Sequence, residues 1–266
     1  MQAPADATAL STYSPEVRQL LFDYVLQLAD TSLLLGHRLS EWCGHGPILE
    51  QDLALANIAL DLLGETRSLY QYAAELEGRG RTEDDLAFLR VATDYRNPLL
   101  VEQPNGDFAH TVVRQFLFDN FHYHFLHQLQ TSPDERLAAI AEKSVKEAAY
   151  HLKWSAEWVI RLGDGTEESR QRIEKAISKL WRYAPELTTP TPTEQALQKL
   201  GLIPDYNALR PSLDAYTAQV FAEATLPVPQ NVPPQLGGKQ GRHSEHLGYV
   251  LAELQYMQRT YPGMKW

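Results

Sequence analysis

The sequence predicts an all-α fold, a long four-helix bundle with additional C-terminal helices and an arm rich in proline and glycine. Two observations lead to this prediction. Apolar residues recur at spacings of three and four nearly throughout the chain, which is the period of an amphipathic helix, and the alternation typical of strands is scarce. Capping residues, prolines and glycines also separate four long helical segments, each about 35–45 Å in length at 1.5 Å per residue.

The first long helix is predicted to begin at Ser14 and to end near Cys43. Ser14 is a good capping residue, and Pro15 takes the first helical position, where its missing N–H is no loss. Gly44 and Gly46 follow the segment and favour its end.

The second long helix is predicted from about Pro47 to Gly78, and it carries two apolar faces. The first face includes Leu53, Ala56, Leu60 and Leu63. The second face includes Leu55, Ile58, Leu62 and Leu69. Because a helix that is apolar on two faces is buried on two sides, one neighbouring layer cannot cover it.

The third and fourth long helices follow a short helix at 83–92 and an irregular segment at 93–106, where prolines prevent a continuous helix. The third helix, at 107–130, is densely aromatic. The fourth is predicted to begin with a capping box at 132–135, with Ser132 as the cap, and to end before Gly163.

The remaining elements are shorter and are predicted from the same signals. They are a helix at 166–184, a linker at 188–193, helices at 194–200 and 211–223, an extended arm at 225–241 and a last helix at 244–258. We expect one domain, with a flexible extension at 1–13, a bundle core at about 14–163 and C-terminal helices with the arm at about 164–266.

The composition argues against several classes of function. The 24 Lys and Arg against 34 Asp and Glu give a net charge of −10, which disfavours nucleic acid and anionic membrane surfaces. No stretch approaches the 18 apolar residues of a membrane span. The single cysteine, Cys43, has no partner for a disulfide and is expected as a small buried side chain. We therefore expect a cytoplasmic protein.

A bundle of this length can hold paired metal ions, and the residues required are known. A Glu from each of two helices joins a Glu-x-x-His pair from each of the other two. None of the 20 glutamates has a histidine three residues later. The residues at the expected depth are Asp61 and Gly64 on the second helix and Glu147 and Tyr150 on the fourth. The third helix has the pair Asp119 and His122, but no second pair completes a site.

Other polar candidates are therefore expected to have structural roles. His122, His124 and His127 crowd on the third helix, where we expect polar members of the core or of a contact surface. His243 and His246 lie at the start of the last helix, where one can cap the helix or make a contact. The glycine-rich stretch at 237–241 lacks the strand and the trailing Ser or Thr of a phosphate loop, although a flexible basic loop can touch an anion.

Several segments together resemble one family, the C subunits of bacterial phenylacetyl-CoA epoxidases. The resemblance runs from about residue 22 to the C-terminus. The segments that carry it are Glu-Trp-Cys-Gly-His at 41–45, Asp-Leu-Ala-Leu-Ala-Asn at 52–57, Leu-Asp-Leu-Leu-Gly at 60–64, Leu-Val-Glu-Gln-Pro-Asn-Gly at 100–106, Lys-Glu at 146–147 with Tyr-His at 150–151, Lys-Leu-Trp-Arg at 179–182, and Gly-Gly-Lys at 237–239 with His-Leu-Gly at 246–248.

The resemblance implies a ferritin-like, non-catalytic subunit of a multicomponent di-iron monooxygenase. A homologous A subunit would carry the two irons, and the C subunit would stabilise it and help form the site of the CoA ester. Such a complex epoxidises the ring of phenylacetyl-CoA with oxygen and with electrons from a reductase that uses NADPH, flavin and an iron–sulfur centre. Neither a metal nor another cofactor is expected on this chain.

The resemblance also suggests contact residues. The CoA ester would touch Asp94, Tyr95, Arg96 and Asn97 in the irregular segment and Gln195, Ala196 and Leu197 after the long helices. The second face of the second helix, with Leu62 and Leu69, would meet the partner subunit. Two alternatives stay open: an active di-iron oxygenase that uses Asp61, Asp119, His122 and Glu147, and a free-standing helical interaction protein.

Overall fold

The computed structural model describes residues 13–264, and the predicted N-terminal extension lies outside the described residues except for Tyr13. Residues 13–264 contain helices and no strand, so the predicted all-α class is confirmed. The helices are α1 (Pro15–Ser40), α2 (Leu49–Glu77), α3 (Glu83–Phe88), α4 (Leu99–Glu102), α5 (Phe108–Leu129), α6 (Glu135–Gly163), α7 (Glu167–Leu180), α8 (Ala184–Thr188), α9 (Pro192–Lys199), α10 (Tyr206–Glu223), α11 (Glu245–Leu254) and α12 (Tyr256–Thr260).

The four long helices α1, α2, α5 and α6 form the bundle. Helix α1 packs along α2, and α5 packs along α6, so the bundle consists of two helical hairpins that meet partly through α2 and α6. The shorter helices cover its sides: α7 and α10 lie on α5, and α9 lies on α1. The buried apolar residues form one cluster that includes side chains from the bundle and from the C-terminal helices.

Several helix ends differ from the sequence expectation. Helix α6 is capped by Asp134, whose side chain accepts from the N–H of Leu137, and not by Ser132. The Ser132 hydroxyl instead donates to the carbonyl of Leu202, 2.7 Å away. Helix α10 begins at Tyr206 and contains Pro211, the residue predicted as its start. The last helix is divided at Gln255, whose amide donates to the carbonyl of Arg90, 3.0 Å away.

Two further findings concern the surface. Cys43 is exposed, because it lies in the turn after α1 and not within the helix, so the expectation of a buried thiol was wrong. No helix between residues 13 and 264 combines the length and the apolar character that crossing a bilayer requires.

Candidate functional site

The glycine loop, residues 237–241, lies between the two segments predicted to contact the CoA ester. On one side, Gly238 approaches the backbone of residues 94–97, which we name the 94–97 strip. A Cβ on residue 238 would lie 2.4 Å from the carbonyl oxygen of Asn97. On the other side, the Lys239 ammonium donates to both carboxylate oxygens of Glu194 in α9, at 2.9 and 3.1 Å. The structure therefore brings both predicted segments to one region of the molecule.

Only two of the four side chains in the 94–97 strip reach the solvent. Asp94 is exposed and Arg96 is half-buried, whereas Tyr95 and Asn97 are fully buried. The Arg96 guanidinium donates to the carbonyls of Thr93 and Tyr95, at 2.7 and 2.8 Å. Arg96 is thus fixed beside its own backbone while part of its cation stays open to solvent.

The predicted contacts in α9 divide in the same way. Gln195 is exposed, Ala196 is half-buried and Leu197 is completely buried. Of the seven predicted contact residues, only Asp94, Arg96, Gln195 and Ala196 therefore have surface available for a ligand. The buried residues Tyr95, Asn97 and Leu197 belong to the packing that holds the two segments in place.

A buried ion pair between Asp30 of α1 and Arg90 fixes the start of the strip. The Asp30 carboxylate accepts hydrogen bonds from both terminal nitrogens of the Arg90 guanidinium. It also accepts from the Tyr70 hydroxyl at 2.6 Å and from the Arg96 backbone N–H at 2.9 Å. Burial disfavours the charge on Arg90, but the Asp30 carboxylate together with Tyr70 and Tyr95 outweighs this cost and raises the pKa of Arg90. One carboxylate in the bundle thus anchors the strip to α1.

A second buried carboxylate, Glu102, joins the strip to the C-terminal helices. It accepts from the Asn97 amide at 3.1 Å and from the Ser244 backbone N–H at 2.6 Å. Nδ1 of His243 lies 2.9 Å from Glu102, and Nε2 of His243 lies 3.0 Å from the carbonyl oxygen of Tyr95. Because a carbonyl oxygen only accepts, Nε2 carries a hydrogen, and His243 makes the contact expected at this helix start.

Two further carboxylates hold the glycine loop. Glu186 accepts from the backbone N–H groups of Leu99 and Gly237, each at 2.7 Å. Glu194 accepts from Lys239, from the Tyr206 hydroxyl at 2.9 Å and from the Gln27 amide at 2.7 Å. Burial disfavours the charge on Glu194, but Lys239 together with the hydrogen bonds from Thr191 and Gln27 outweighs it and lowers the pKa of Glu194. These residues were not identified from the sequence as parts of the site.

Two residues inside the bundle that could bind a metal ion, Glu65 and His122, bond with each other. Glu65 of α2 bonds with His122 of α5, with Oε1 and Nε2 3.1 Å apart, and the Ser32 hydroxyl donates to the same Glu65 oxygen at 2.7 Å. His122 opposes the burial penalty and lowers the pKa of Glu65. Burial likewise disfavours imidazolium, but Glu65 together with Asp119 and Glu147 outweighs it and raises the pKa of His122. The pair crosslinks α2 to α5.

Of the five predicted metal-site positions, three lie near His151, namely Asp61, Asp119 and Glu147, and the other two have no side chain that could join them there. Gly64 and Tyr150 are exposed, and Asp61 is half-buried with its carboxylate 3.0 Å from Nε2 of His151. Burial and the nearby Asp61 raise the pKa of Glu147. Asp119 accepts from Ser155 at 2.8 Å and from Gln115 at 2.7 Å. Within residues 13–264, no three His, Cys, Asp or Glu side chains are arranged to hold a metal ion, so these residues do not fit a paired metal centre.

Replacing Asp119 by Asn is expected to stabilise the protein at pH 8 by about 1–3 kcal/mol and by about half as much at pH 5. Burial raises the pKa of Asp119 to about 6, from an unfolded value of 3.8. The neutral carboxyl is favoured in the folded state, so its stabilising contribution is complete below pH 3.8 and lost as the pH rises through about 6. Urea unfolding at both pH values measures the difference. The exposed change Asp164→Asn is the control, and an equal effect of Asp119→Asn at both pH values would contradict the prediction.

The face of α2 that was expected to meet a partner is buried within the chain, and the other apolar face is exposed. Leu62 and Leu69 are 1% and 2% exposed, because this face packs into the bundle, so neither side chain is available to a partner. The residues of the other face form a surface that we name the α2 stripe. The α2 stripe consists of Leu49, Leu53, Ala56, Leu60 and Leu63. Its spacings of four, three, four and three residues are those of a helix that packs against another helix.

Replacing Gly238 by Ala is expected to lower the free energy of unfolding by about 1–3 kcal/mol, because overpacking a tight contact forces the backbone to move. The new Cβ would lie 2.4 Å from the carbonyl oxygen of Asn97 and 2.8 Å from the amide nitrogen of Leu99. Gly248→Ala in α11 is the matched control, since nothing lies within 4 Å of its Cβ position and alanine favours helix. Thermal unfolding compares the two. Equal stability of both variants would show that the loop is not in tight contact.

Comparisons with known proteins agree with this architecture. The family described as "Phenylacetic acid catabolic protein" matches residues 1–266. The chain is also 51% identical over 246 residues to the C subunit of the 1,2-phenylacetyl-CoA epoxidase of Escherichia coli (strain K12), and the match covers 91% of this chain and 98% of that protein. A match of this length includes the bundle, the 94–97 strip and the glycine loop together. The chain therefore belongs to the family of phenylacetic acid catabolic proteins.

Proposed function

We propose that this chain is the non-catalytic C subunit of a phenylacetyl-CoA epoxidase, a multicomponent di-iron monooxygenase of aerobic phenylacetate catabolism. It stabilises a homologous A subunit, which carries the two irons, and helps to form the site of the CoA ester. Electrons come from a reductase with NADPH, flavin and an iron–sulfur centre. The location is the cytoplasm. The observation that carries the proposal is the 51% identity to an epoxidase C subunit across 98% of that relative's length.

The chemistry of the bundle interior supports the non-catalytic role. A di-iron site needs carboxylates and imidazoles that are free to bind metal. Here Glu65 and His122 bond with each other, and Asp119 bonds with Ser155 and Gln115. The side chains that could serve as ligands therefore stabilise the chain itself, and the oxygen chemistry is assigned to the partner.

The surface between the 94–97 strip and α9 supports a contribution to the CoA-ester site. Arg96 offers a half-buried cation for a CoA phosphate, and its position is fixed by two backbone carbonyls. Gln195 adds an exposed amide on the other side of the glycine loop. The buried carboxylates of Asp30, Glu102 and Glu186 fix the backbone beneath this surface, so the ligand meets a preorganised site.

Co-expression with an A subunit of the same family tests the proposal. We expect one complex on a sizing column, iron in that complex, and an A subunit that is less soluble when produced alone. Two chains that elute separately, with an equally soluble A subunit, would favour the free-standing interaction protein.

The iron content of the separated chains distinguishes the remaining alternative. We expect the two irons to stay with the A subunit after the complex is dissociated. Stoichiometric iron bound by this chain, lost in the variant His122→Gln, would instead favour an active di-iron oxygenase.

A further inference from the structure

A small cavity lies inside the bundle, between α1, α2 and α5, and its volume is about 30 Å³. Three aromatic rings of α5, those of Phe118, Phe121 and Phe125, form one wall, and Leu69 and Ile140 contribute to the others. Of the described residues that line the cavity, all are buried except Leu28, which is half-buried. The cavity is therefore separated from bulk water by side chains and comes nearest to the surface at Leu28.

The polar side chains around the cavity already have partners within the protein. Ser32 donates to Glu65, and the Gln27 amide and the Tyr206 hydroxyl donate to Glu194. The Lys239 ammonium is satisfied by Glu194 and by the carbonyl of Thr189, 3.2 Å away. These groups do not require water molecules in the cavity.

One polar atom is the exception. Nδ1 of His122 is buried without a hydrogen-bond partner, while Nε2 of the same ring bonds with Glu65. A buried water needs two to four polar partners, and a single ring nitrogen offers one. A cavity that is mostly apolar and has one free polar atom favours an apolar occupant over water.

The volume limits the size of this occupant. An apolar cavity of about 150 Å³ holds a benzene ring. The cavity here is much smaller, at about 30 Å³, so it suits an occupant of only a few atoms.

We propose that this cavity is a binding site for one small, uncharged, apolar molecule, the class that includes dioxygen and the probe xenon. The aromatic rings of α5 supply the dispersion contacts, and Nδ1 of His122 is the one buried polar atom of the lining side chains that has no partner within the protein. The inference concerns the isolated chain and goes beyond the proposed function, since it requires neither a partner subunit nor a CoA ester.

Xenon tests the proposal directly. The full-length chain is crystallised and pressurised with xenon, and binding in solution is followed by the ¹²⁹Xe NMR shift. We expect one xenon atom in the cavity, beside Phe118, Phe121 and Phe125. Absence of xenon from the cavity at saturating pressure would overturn the proposal, and so would ordered water there with three hydrogen bonds to protein.

Two variants test whether xenon binds in this cavity. Ile140→Phe fills the space and should weaken xenon binding at least tenfold, and Leu69→Phe is a second filling variant at another wall of the cavity. Val159→Ile, a buried enlargement on the same helix outside the cavity lining, is the matched control and should leave xenon binding unchanged. Thermal unfolding verifies that each variant is folded. Unchanged xenon binding in folded Ile140→Phe and Leu69→Phe would contradict the assignment.

Discussion

Replacing Asp30 by alanine is expected to lower the free energy of unfolding by about 3–5 kcal/mol, because removing one partner of a buried ion pair leaves the other charge uncompensated. Asp30 is fully buried and Arg90 is 5% exposed. The variant also removes the acceptor of the Tyr70 hydroxyl and of the Arg96 backbone N–H. Urea unfolding followed by circular dichroism measures the loss, which should be one of the largest for any single change in this chain.

Two controls separate the buried charge from other effects. The double variant Asp30→Leu with Arg90→Met removes both charges, and we expect it to recover most of the lost stability. Glu168→Ala removes one partner of an exposed pair with Arg172 and should cost less than about 1 kcal/mol. An Asp30→Ala variant as stable as the Glu168→Ala variant would show that the Asp30–Arg90 pair does not hold the strip.

Local signals predicted the long helices well and some of their ends poorly. Ser14, Asp107 and Gly78 act at helix ends as expected, because each uses only its neighbours along the chain. At 132–135 both Ser132 and Asp134 could cap, and the tertiary bond from Ser132 to the carbonyl of Leu202 leaves the cap to Asp134. No local pattern contains that contact.

The buried contacts that hold the candidate site in place could not be predicted from the spacing of residues along the sequence. Asp30 and Arg90 lie 60 residues apart, and Glu102 and His243 lie 141 residues apart. A lone acid within the apolar run of α1 signals a buried partner, but the sequence does not identify which cation that partner is. The resemblance located the surface strip, whereas the carboxylates beneath it required the packing of the C-terminal helices onto the bundle.

The orientation of α2 also depended on tertiary structure. Both of its faces are apolar, so periodicity indicated two contacts without indicating which of them lies inside the chain. The exposed fractions settle this question, since Leu62 is 1% exposed and Leu60 is 66% exposed. Gly36 of α1 packs against Leu62 and against Leu63 at the edge of the α2 stripe, while Leu60 remains outside.

If the proposed pairing with an A subunit holds, Leu60→Asp is expected to weaken the complex by at least about 30-fold, since central interface residues contribute about 2 kcal/mol or more. Leu60 is 66% exposed in this chain, so the aspartate is solvated in the free subunit and must be desolvated in the complex. Native mass spectrometry of the co-expressed subunits measures the fraction assembled, and unfolding of the isolated variant should match the parent.

Leu62→Asp, two residues further along the same helix, provides the contrast. Leu62 is 1% exposed, so an aspartate there is buried within the chain and should prevent folding even without a partner. The conservative change Leu60→Met should preserve the complex, because it keeps an apolar side chain of similar volume. An intact complex with Leu60→Asp would exclude the α2 stripe as the partner surface. Loss of the complex without loss of the fold would instead identify the exposed face of α2 as the side that meets the partner.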